Sequence, residues 1–247
     1  DGGEVLLSVP GASVGALETP CEAAAAPLVV LAVPAQATRS VLSAIAAGPS
    51  RPGSLVLTAK GIESGTGRLQ TEIAAETLPA VPAAVLSGPS FAVDVARGLP
   101  TAVTLAAADI AVAERAAAAF ATETFRPYAA ADPVGVQTGG ALKNVYAIAA
   151  GIVIGAGLGD SARAALLARS IAELTRLAVA VGGRAETVAG LSGLGDLVLT
   201  ATSEKSRNFS FGLALGRGEH PPVWRGTGSE GEHPRLVEGA ATAEAAV

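Results

Sequence analysis

Leu28-Val29-Val30-Leu31-Ala32-Val33 is an unbroken apolar run that stops at Pro34. A strand covered on one face alternates apolar and polar residues. One covered on both faces does not, so this run predicts a strand buried within a sheet. Downstream, residues 36–46 read as a helix, and Ser54-Leu55-Val56-Leu57-Thr58-Ala59 as a second strand ending in Lys60-Gly61. A helix follows over 66–78, then a strand at Ala83-Ala84-Val85-Leu86 that ends in Ser87-Gly88-Pro89-Ser90. Residues 91–97 read as helix, 101–106 as strand, 110–120 as helix and 124–128 as a last short strand. Upstream, residues 1–27 read as loop, with a short helix at 22–26 as the alternative.

Strands alternating with helices over short connections predict a parallel sheet covered on both faces, a doubly wound α/β domain. In such sheets ligands sit outside the carboxyl ends of the strands. Three successive strand ends here carry Pro34, Lys60-Gly61 and Ser87-Gly88-Pro89-Ser90 on one rim. Glycine lets a ligand approach the backbone, and Ser87 or Ser90 is placed to cap the next helix and aim its amides at an anion. The same residues also make ordinary turns.

From about Asp132 the pattern becomes helical only. The stretch Gly139-Gly140-Ala141-Leu142-Lys143-Asn144-Val145-Tyr146-Ala147-Ile148-Ala149-Ala150-Gly151-Ile152 is apolar almost all round, as a buried helix is. Lys143 lies inside it. Gly139, Gly140 and Ala147, one turn away, predict open space beside its amine, and Tyr146 is the only bulky neighbour. Either the stem lies along the core with its ammonium in water, or the amine is desolvated and serves as a base near neutral pH.

A further helix starts at Gly159-Asp160-Ser161, with Asp160 or Ser161 as cap, and ends at Gly182-Gly183. Leu167, Ile171, Leu174, Ala178 and Val181 fall on one face, and Arg169 is spaced to pair with Glu173. Gly193-Leu194-Gly195-Asp196-Leu197 sets an acid among glycines before an apolar run, either a helix cap or a functional carboxylate. Ser206-Arg207-Asn208 opens another helix, and a guanidinium beside an amide at a helix start suits a phosphate or a solvated first turn. Residues 217–235, which hold His220, Trp224 and His233, show no chemistry.

Composition bounds the rest. At 247 residues one large or two small domains are expected, and with 50% hydrophobic residues the core is sizeable. A formal net charge of -5 argues against a nucleic-acid partner. No apolar run of spanning length is free of Gly, Pro or charge, which reads as a soluble chain. Cys21 is the only cysteine, which excludes an intrachain disulfide and fits a reducing cytosol. With two histidines in a Pro/Gly-rich stretch, no metal site is expected. The chain has no methionine, opens on Asp1-Gly2-Gly3, and stops within a helix running from Leu236 to Val247, so a fragment is the expectation.

Taken in order, Leu31-Ala32-Val33-Pro34, Ala59-Lys60-Gly61-Ile62-Glu63, Leu86-Ser87-Gly88-Pro89-Ser90-Phe91-Ala92, Gly139-Gly140-Ala141-Leu142-Lys143-Asn144-Val145, Gly193-Leu194-Gly195-Asp196-Leu197, Ser206-Arg207-Asn208 and Val237-Glu238-Gly239 form one ordered set. That set resembles the bacterial-type NAD(P)-dependent glycerol-3-phosphate dehydrogenases.

The resemblance implies an α/β N-terminal Rossmann-like domain, here incomplete over residues 1–131, followed by an all-α C-terminal substrate domain over 132–247. It implies an oxidoreductase that interconverts dihydroxyacetone phosphate and sn-glycerol 3-phosphate with NAD or NADP. Such an enzyme is cytoplasmic, usually a homodimer, not membrane-inserted, and feeds glycerophospholipid synthesis. Carried over residue by residue, Lys143 matches the proton acceptor, and Lys60 a lysine touching both cofactor and substrate. Gly88, Ser90, Asp196, Ser206, Arg207 and Asn208 match substrate positions. Pro34, Ala92, Arg207, Leu236 and Glu238 match cofactor positions. Lys143, Lys60 and Asp196 are the catalytic set so implied, with Asp196 orienting the amine and both Lys60 and Arg207 lowering its pKa.

The family's G-x-G-x-x-G turn is absent and is expected before residue 1. Gly155-Ala156-Gly157-Leu158-Gly159 is no substitute because it follows a helix. Weak or no NAD(P) binding by this chain is therefore expected. Where the family has Gly-Asp-Asn, this chain has Gly159-Asp160-Ser161, and residues 219–235 match no family text. The alternatives are a related two-domain hydroxyacid or sugar-acid dehydrogenase, and a non-catalytic remnant that serves dimerisation or binding.

Overall fold

The computed structural model describes residues 24–219 and 237–245. Cys21, Trp224, both histidines and Leu236 lie outside the described residues, as does almost all of the 217–235 stretch. A five-stranded sheet in the order β1-β2-β3-β4-β5 forms the first half, from β1 (Val29–Leu31), β2 (Leu55–Leu57), β3 (Ala83–Ser87), β4 (Thr101–Ala107) and β5 (Phe125–Ala130). Between them run α1 (Thr38–Ala47), α2 (Gln70–Thr77), α3 (Ala92–Ala96) and α4 (Ile110–Phe120).

Strand side chains alternate into two cores. Val29, Leu31, Leu55, Leu57 and Val85 pack with Leu42, Ile45 and Ile73 on one face. Val56, Ala84 and Leu105, with half-buried Val30 and Leu86, pack with Val112, Ala113 and Ala116 on the other. All three residues of β2 are buried, which is why its text shows no polar alternation.

The expectation of a wholly parallel sheet is corrected at one pair. β1, β2 and β3 are parallel, and so are β4 and β5, but β3 and β4 are antiparallel, with Leu86 opposite Leu105. Thirteen residues, 88–100, join β3 to β4, and only the five of α3 are helical, so no long helix carries the chain along the sheet to its far end. β4 enters from the end at which β3 left.

The second half is helical: α5 (Pro133–Gly155), α6 (Gly159–Ala180), α7 (Ala185–Ala189), α8 (Asp196–Ala201), α9 (Arg207–Gly216) and α10 (Glu238–Ala245). Asp132 starts α5, its Oδ1 accepting from the Gly135 amide at 2.9 Å, with Pro133 in the first turn where no amide is needed. The same carboxylate accepts from the Arg184 amide at 2.9 Å and so ties α7 to the start of α5. α5 is 23 residues long and apolar enough to cross a membrane by length and composition, but the other helices pack around it. It is the axis of the helical half.

Two local expectations fail. α6 begins at Gly159 after Leu158 with no side-chain cap; Asp160 lies within the first turn, where it pairs with Arg163 at 2.7 Å. Arg169 and Glu173 form no ion pair. Glu173 bears instead on Tyr146, whose hydroxyl is pushed up to about 12, first by burial and then by that carboxylate. Leu174 and Ala178 hold the α6 core face, but Val181 beyond its end is exposed.

Candidate active site

Lys143 sits midway along α5 and is 6% exposed. Its Nζ donates to Asp196 Oδ1 and, at 3.0 Å, to Thr200 Oγ1. Asp196 opens α8 after a π-helical turn, Leu191–Gly195, and is 1% exposed. It is therefore no solvent-facing cap. Lys60, at the end of β2, donates to the other oxygen, Asp196 Oδ2, at 2.7 Å and to the Gly88 carbonyl at 3.1 Å. One buried carboxylate thus holds two ammonium groups brought from the two halves of the chain.

The charges explain the amine's acidity. Burial, first, lowers the Lys143 pKa; the Lys60 charge lowers it further, and Asp196 pulls it back up, leaving it at about 8. Arg207 does not take the part expected of it. It is exposed on the first turn of α9 and does not figure among the causes of the shift.

The expected open space beside the amine is also corrected. A Cβ on Gly139 would lie 2.8 Å from the Ser192 carbonyl oxygen, and one on Gly140 would lie 2.6 Å from Ser87 Oγ, with the Lys60 stem close by. The glycines bring the end of β3, the Lys60 stem and the π-helical turn against α5. What looked like room for a ligand is a packed seam.

At the third strand end the helix-capping expectation fails. α3 follows Phe91 without a side-chain cap, Ser87 Oγ is buried without a partner, and Ser90 Oγ donates back to the Gly88 carbonyl at 3.2 Å. Gly88 has φ +152°, and a Cβ there would meet Val103 Cα at 2.8 Å, so no other residue fits. The carbonyl that Ser90 reaches is also the one that holds Lys60. Lys205 pairs with Asp94 of α3 at 3.4 Å, bringing the loop before α9 beside this segment.

Ser206 Oγ caps α9 by accepting from the Phe209 amide at 3.2 Å, which leaves its own O–H to donate. Arg207 forms no ion pair among the described residues. Asn208 Oδ1 accepts from the Gly239 amide at 3.0 Å, and Glu238 Oε2 accepts from Asn144 Nδ2 at 3.2 Å. Glu238 therefore reaches the helix that carries Lys143. Pro34 is half-buried at the end of β1, where its carbonyl accepts from Ala37 at 2.8 Å, and Ala92 is exposed at the start of α3.

Two residues that touch this constellation were missed in the sequence. Thr200 lies four positions after Asp196, hence on the same helical face, and that spacing is the signal by which it was open to being found. Asn144 had no such signal. Its partner Glu238 is 94 residues away in the chain.

At the rim, Ala32 and Ala92 are exposed small side chains, while Gly88 is buried against Val103. Small side chains at these ends suit the close approach of a flat ring, and Lys60, at the end of β2, brings an ammonium to the same rim. These residues fit the nicotinamide end of a dinucleotide. Among the described residues no G-x-G-x-x-G turn links a strand to a helix for its pyrophosphate.

Two family models match the chain. The NAD-dependent glycerol-3-phosphate dehydrogenase N-terminus matches residues 13–113, and the C-terminus of the same family matches 132–247. A relative from Agrobacterium fabrum, named glycerol-3-phosphate dehydrogenase of the NAD(P)+ type, is 56% identical over 223 residues, which is 90% of this chain and 65% of the relative. One of the same name from Rhodospirillum rubrum is 55% identical over 89% of this chain and 61% of its own length. The chain thus spans a little under two thirds of these relatives. The crystal structure of glycerol-3-phosphate dehydrogenase from Coxiella burnetii is similar with a TM-score of 0.78 at 37% identity, over 90% of this chain and 66% of that one. A Dunaliella salina structure at 21% identity and TM-score 0.79 shares the fold. The Rossmann-like sheet half and the helical half are each matched in their own order, and the chain belongs to the NAD-dependent glycerol-3-phosphate dehydrogenase family.

Proposed function

We propose that the whole protein interconverts dihydroxyacetone phosphate and sn-glycerol 3-phosphate with NAD or NADP. The observation that carries this reading is the buried Lys143 amine, lowered to about 8 and fixed on a carboxylate that Lys60 shares. In the oxidation direction the neutral amine of Lys143 takes the proton of the secondary hydroxyl; in reduction its ammonium returns that proton to the alkoxide. The nicotinamide, when bound, supplies the acceptor or donor of the hydride. Asp196 and Thr200 hold the Nζ in place, and the Lys60 charge favours the developing alkoxide.

Arg207 and the amide of Asn208 are assigned to the substrate's phosphate, where a planar guanidinium and an amide donor suit its oxygens. Gly88 and Ser90 are assigned to the substrate side of the β3 loop. Pro34, Ala92, Glu238 and Leu236 are assigned to the cofactor side, with the division of domains at 131/132. A cytoplasmic homodimer serving glycerophospholipid synthesis, with a phosphorylated triose as its small-molecule partner, completes the reading. The exposed Arg207 favours that substrate over an unphosphorylated hydroxy acid.

The test follows nicotinamide absorbance with dihydroxyacetone phosphate in the full-length protein. Lys143→Ala is expected to lose about a hundredfold or more in turnover, as for removal of a general acid–base. Unchanged turnover refutes the assignment.

A further inference from the structure

α10 touches the residue that follows each of the three site cations. Thr242 Oγ1 lies 3.6 Å from where a Cβ on Gly61 would stand, after Lys60. Glu238 accepts from Asn144, after Lys143, and Gly239 donates to Asn208, after Arg207. The fit is close. A Cβ on Gly239 would lie 2.7 Å from the Asn144 carbonyl oxygen and 2.8 Å from Asn208 Oδ1. Val237 and Thr242 are buried in the same contact.

These contacts fix which way round each amide stands. A backbone N–H can only donate, so Gly239 turns the oxygen of Asn208 towards α10 and leaves its NH2 for the other side. A carboxylate can only accept, so Glu238 draws the NH2 of Asn144 and leaves its oxygen. Neither remaining end has a hydrogen-bond partner among the described residues. The two asparagines therefore present opposite chemistry, a donor from Asn208 and an acceptor from Asn144. A phosphate oxygen is acceptor only and needs the donor.

We propose that α10 is a positioning element for phosphate recognition: by holding Asn208 Oδ1 on the Gly239 amide, it presents the amide hydrogens of Asn208 to the substrate's phosphate. This rests on reading the substrate as a phosphorylated triose. Linkage makes the effect reciprocal, so a bound phosphate ester tightens the docking of α10.

The test uses the full-length protein and reads hydrogen exchange in residues 237–245 alongside steady-state kinetics at saturating cofactor. In the wild type, glycerol 3-phosphate slows exchange in that segment, and inorganic phosphate does so more weakly. Asn208→Asp keeps an acceptor for Gly239 but turns a carboxylate to the phosphate. It leaves ligand-free exchange as it was, abolishes the slowing, and raises KM for dihydroxyacetone phosphate about ten- to a hundredfold, as for loss of a charge-assisted hydrogen bond. Gly239→Ala removes no polar group, yet loosens α10 and raises the same KM while kcat stays within about twofold.

Exchange in wild-type 237–245 that ignores glycerol 3-phosphate overturns the proposal, as does an unchanged KM in Asn208→Asp. Those two readings decide the matter if Gly239→Ala does not fold. A wild type that binds glycerol 3-phosphate, with slowed exchange, but shows no turnover overturns the proposed reaction and leaves α10 its role.

Discussion

Lys60 and Lys143 reach opposite oxygens of one buried carboxylate, Lys60 Nζ at 2.7 Å from Asp196 Oδ2 and Lys143 Nζ on Oδ1. They come from the end of a strand and the middle of a helix, 83 positions apart by their numbering. With two cations on one anion the cluster carries one charge too many for a buried site. The more buried amine, Lys143, is the one whose pKa is lowered, to about 8.

Replacing the shared anion should disable the site. In Asp196→Asn the two ammonium groups face each other across a neutral amide, Lys143 loses the partner that holds it in place, and its pKa falls further. We expect kcat to drop about a hundredfold or more, as for misplacement of a general acid–base, in a steady-state assay of the full-length protein. Turnover within a few-fold of wild type contradicts the orienting role of Asp196.

The pH dependence follows from the same cluster. The base form of Lys143 grows in as pH rises through about 8, so kcat/KM for alcohol oxidation climbs through that value. Because the Lys60 charge lowers the Lys143 pKa, Lys60→Met moves this limb to higher pH, besides lowering the rate. A limb that stays in place in Lys60→Met shows that the second ammonium does not tune the first.

Stability should rise with pH in a defined window. The folded pKa of Lys143 is about 8, against 10.5 for a lysine in the unfolded chain. Below about 8 both states hold the proton and the folded state bears the full cost of a buried ammonium; between about 8 and 10.5 only the folded state releases it, so the cost disappears. Urea midpoints taken at pH 7.5 and 9.5 should increase, and Lys143→Met should flatten that increase. Asp196 keeps Lys60 as partner in that variant, so no unpaired buried anion obscures the reading.

The packed seam makes its own prediction. Gly140→Ala places a methyl 2.6 Å from Ser87 Oγ and displaces the β3 end together with the Lys60 stem. We expect a loss of about 1–3 kcal/mol in unfolding free energy, the usual cost of overpacking. Ser87→Ala removes the clashing oxygen, which has no hydrogen-bond partner to lose, and should restore part of that loss in the double variant. Strict additivity of the two changes argues against the contact.

The strands were legible because their physics is local. Unbroken apolar text such as Leu28–Val33 and the fully buried β2 announces burial on both faces, and a helix apolar all round announces an interior axis. The β3–β4 reversal was not legible. The connection 88–100 is long enough for either strand direction, and its text does not say to which end of the sheet the chain returns.

The sequence by itself determined the alternation of strands and helices, the change of architecture at Asp132, and the residue types proposed for the site: Lys60, Lys143, Asp196, Arg207 and Asn208 stand in its text in a recognisable order. Only the tertiary structure decided what they do to one another. It put two lysines on one carboxylate, left Arg207 in solvent, filled the space beside Gly139 and Gly140 with Ser192 and Ser87, and joined Asn144 to Glu238 across 94 residues. The reason is physical. Periodicity reports the solvent and helical neighbours that a residue meets within a few positions, whereas a charge pair or a glycine contact depends on separations that folding alone brings down to hydrogen-bond length.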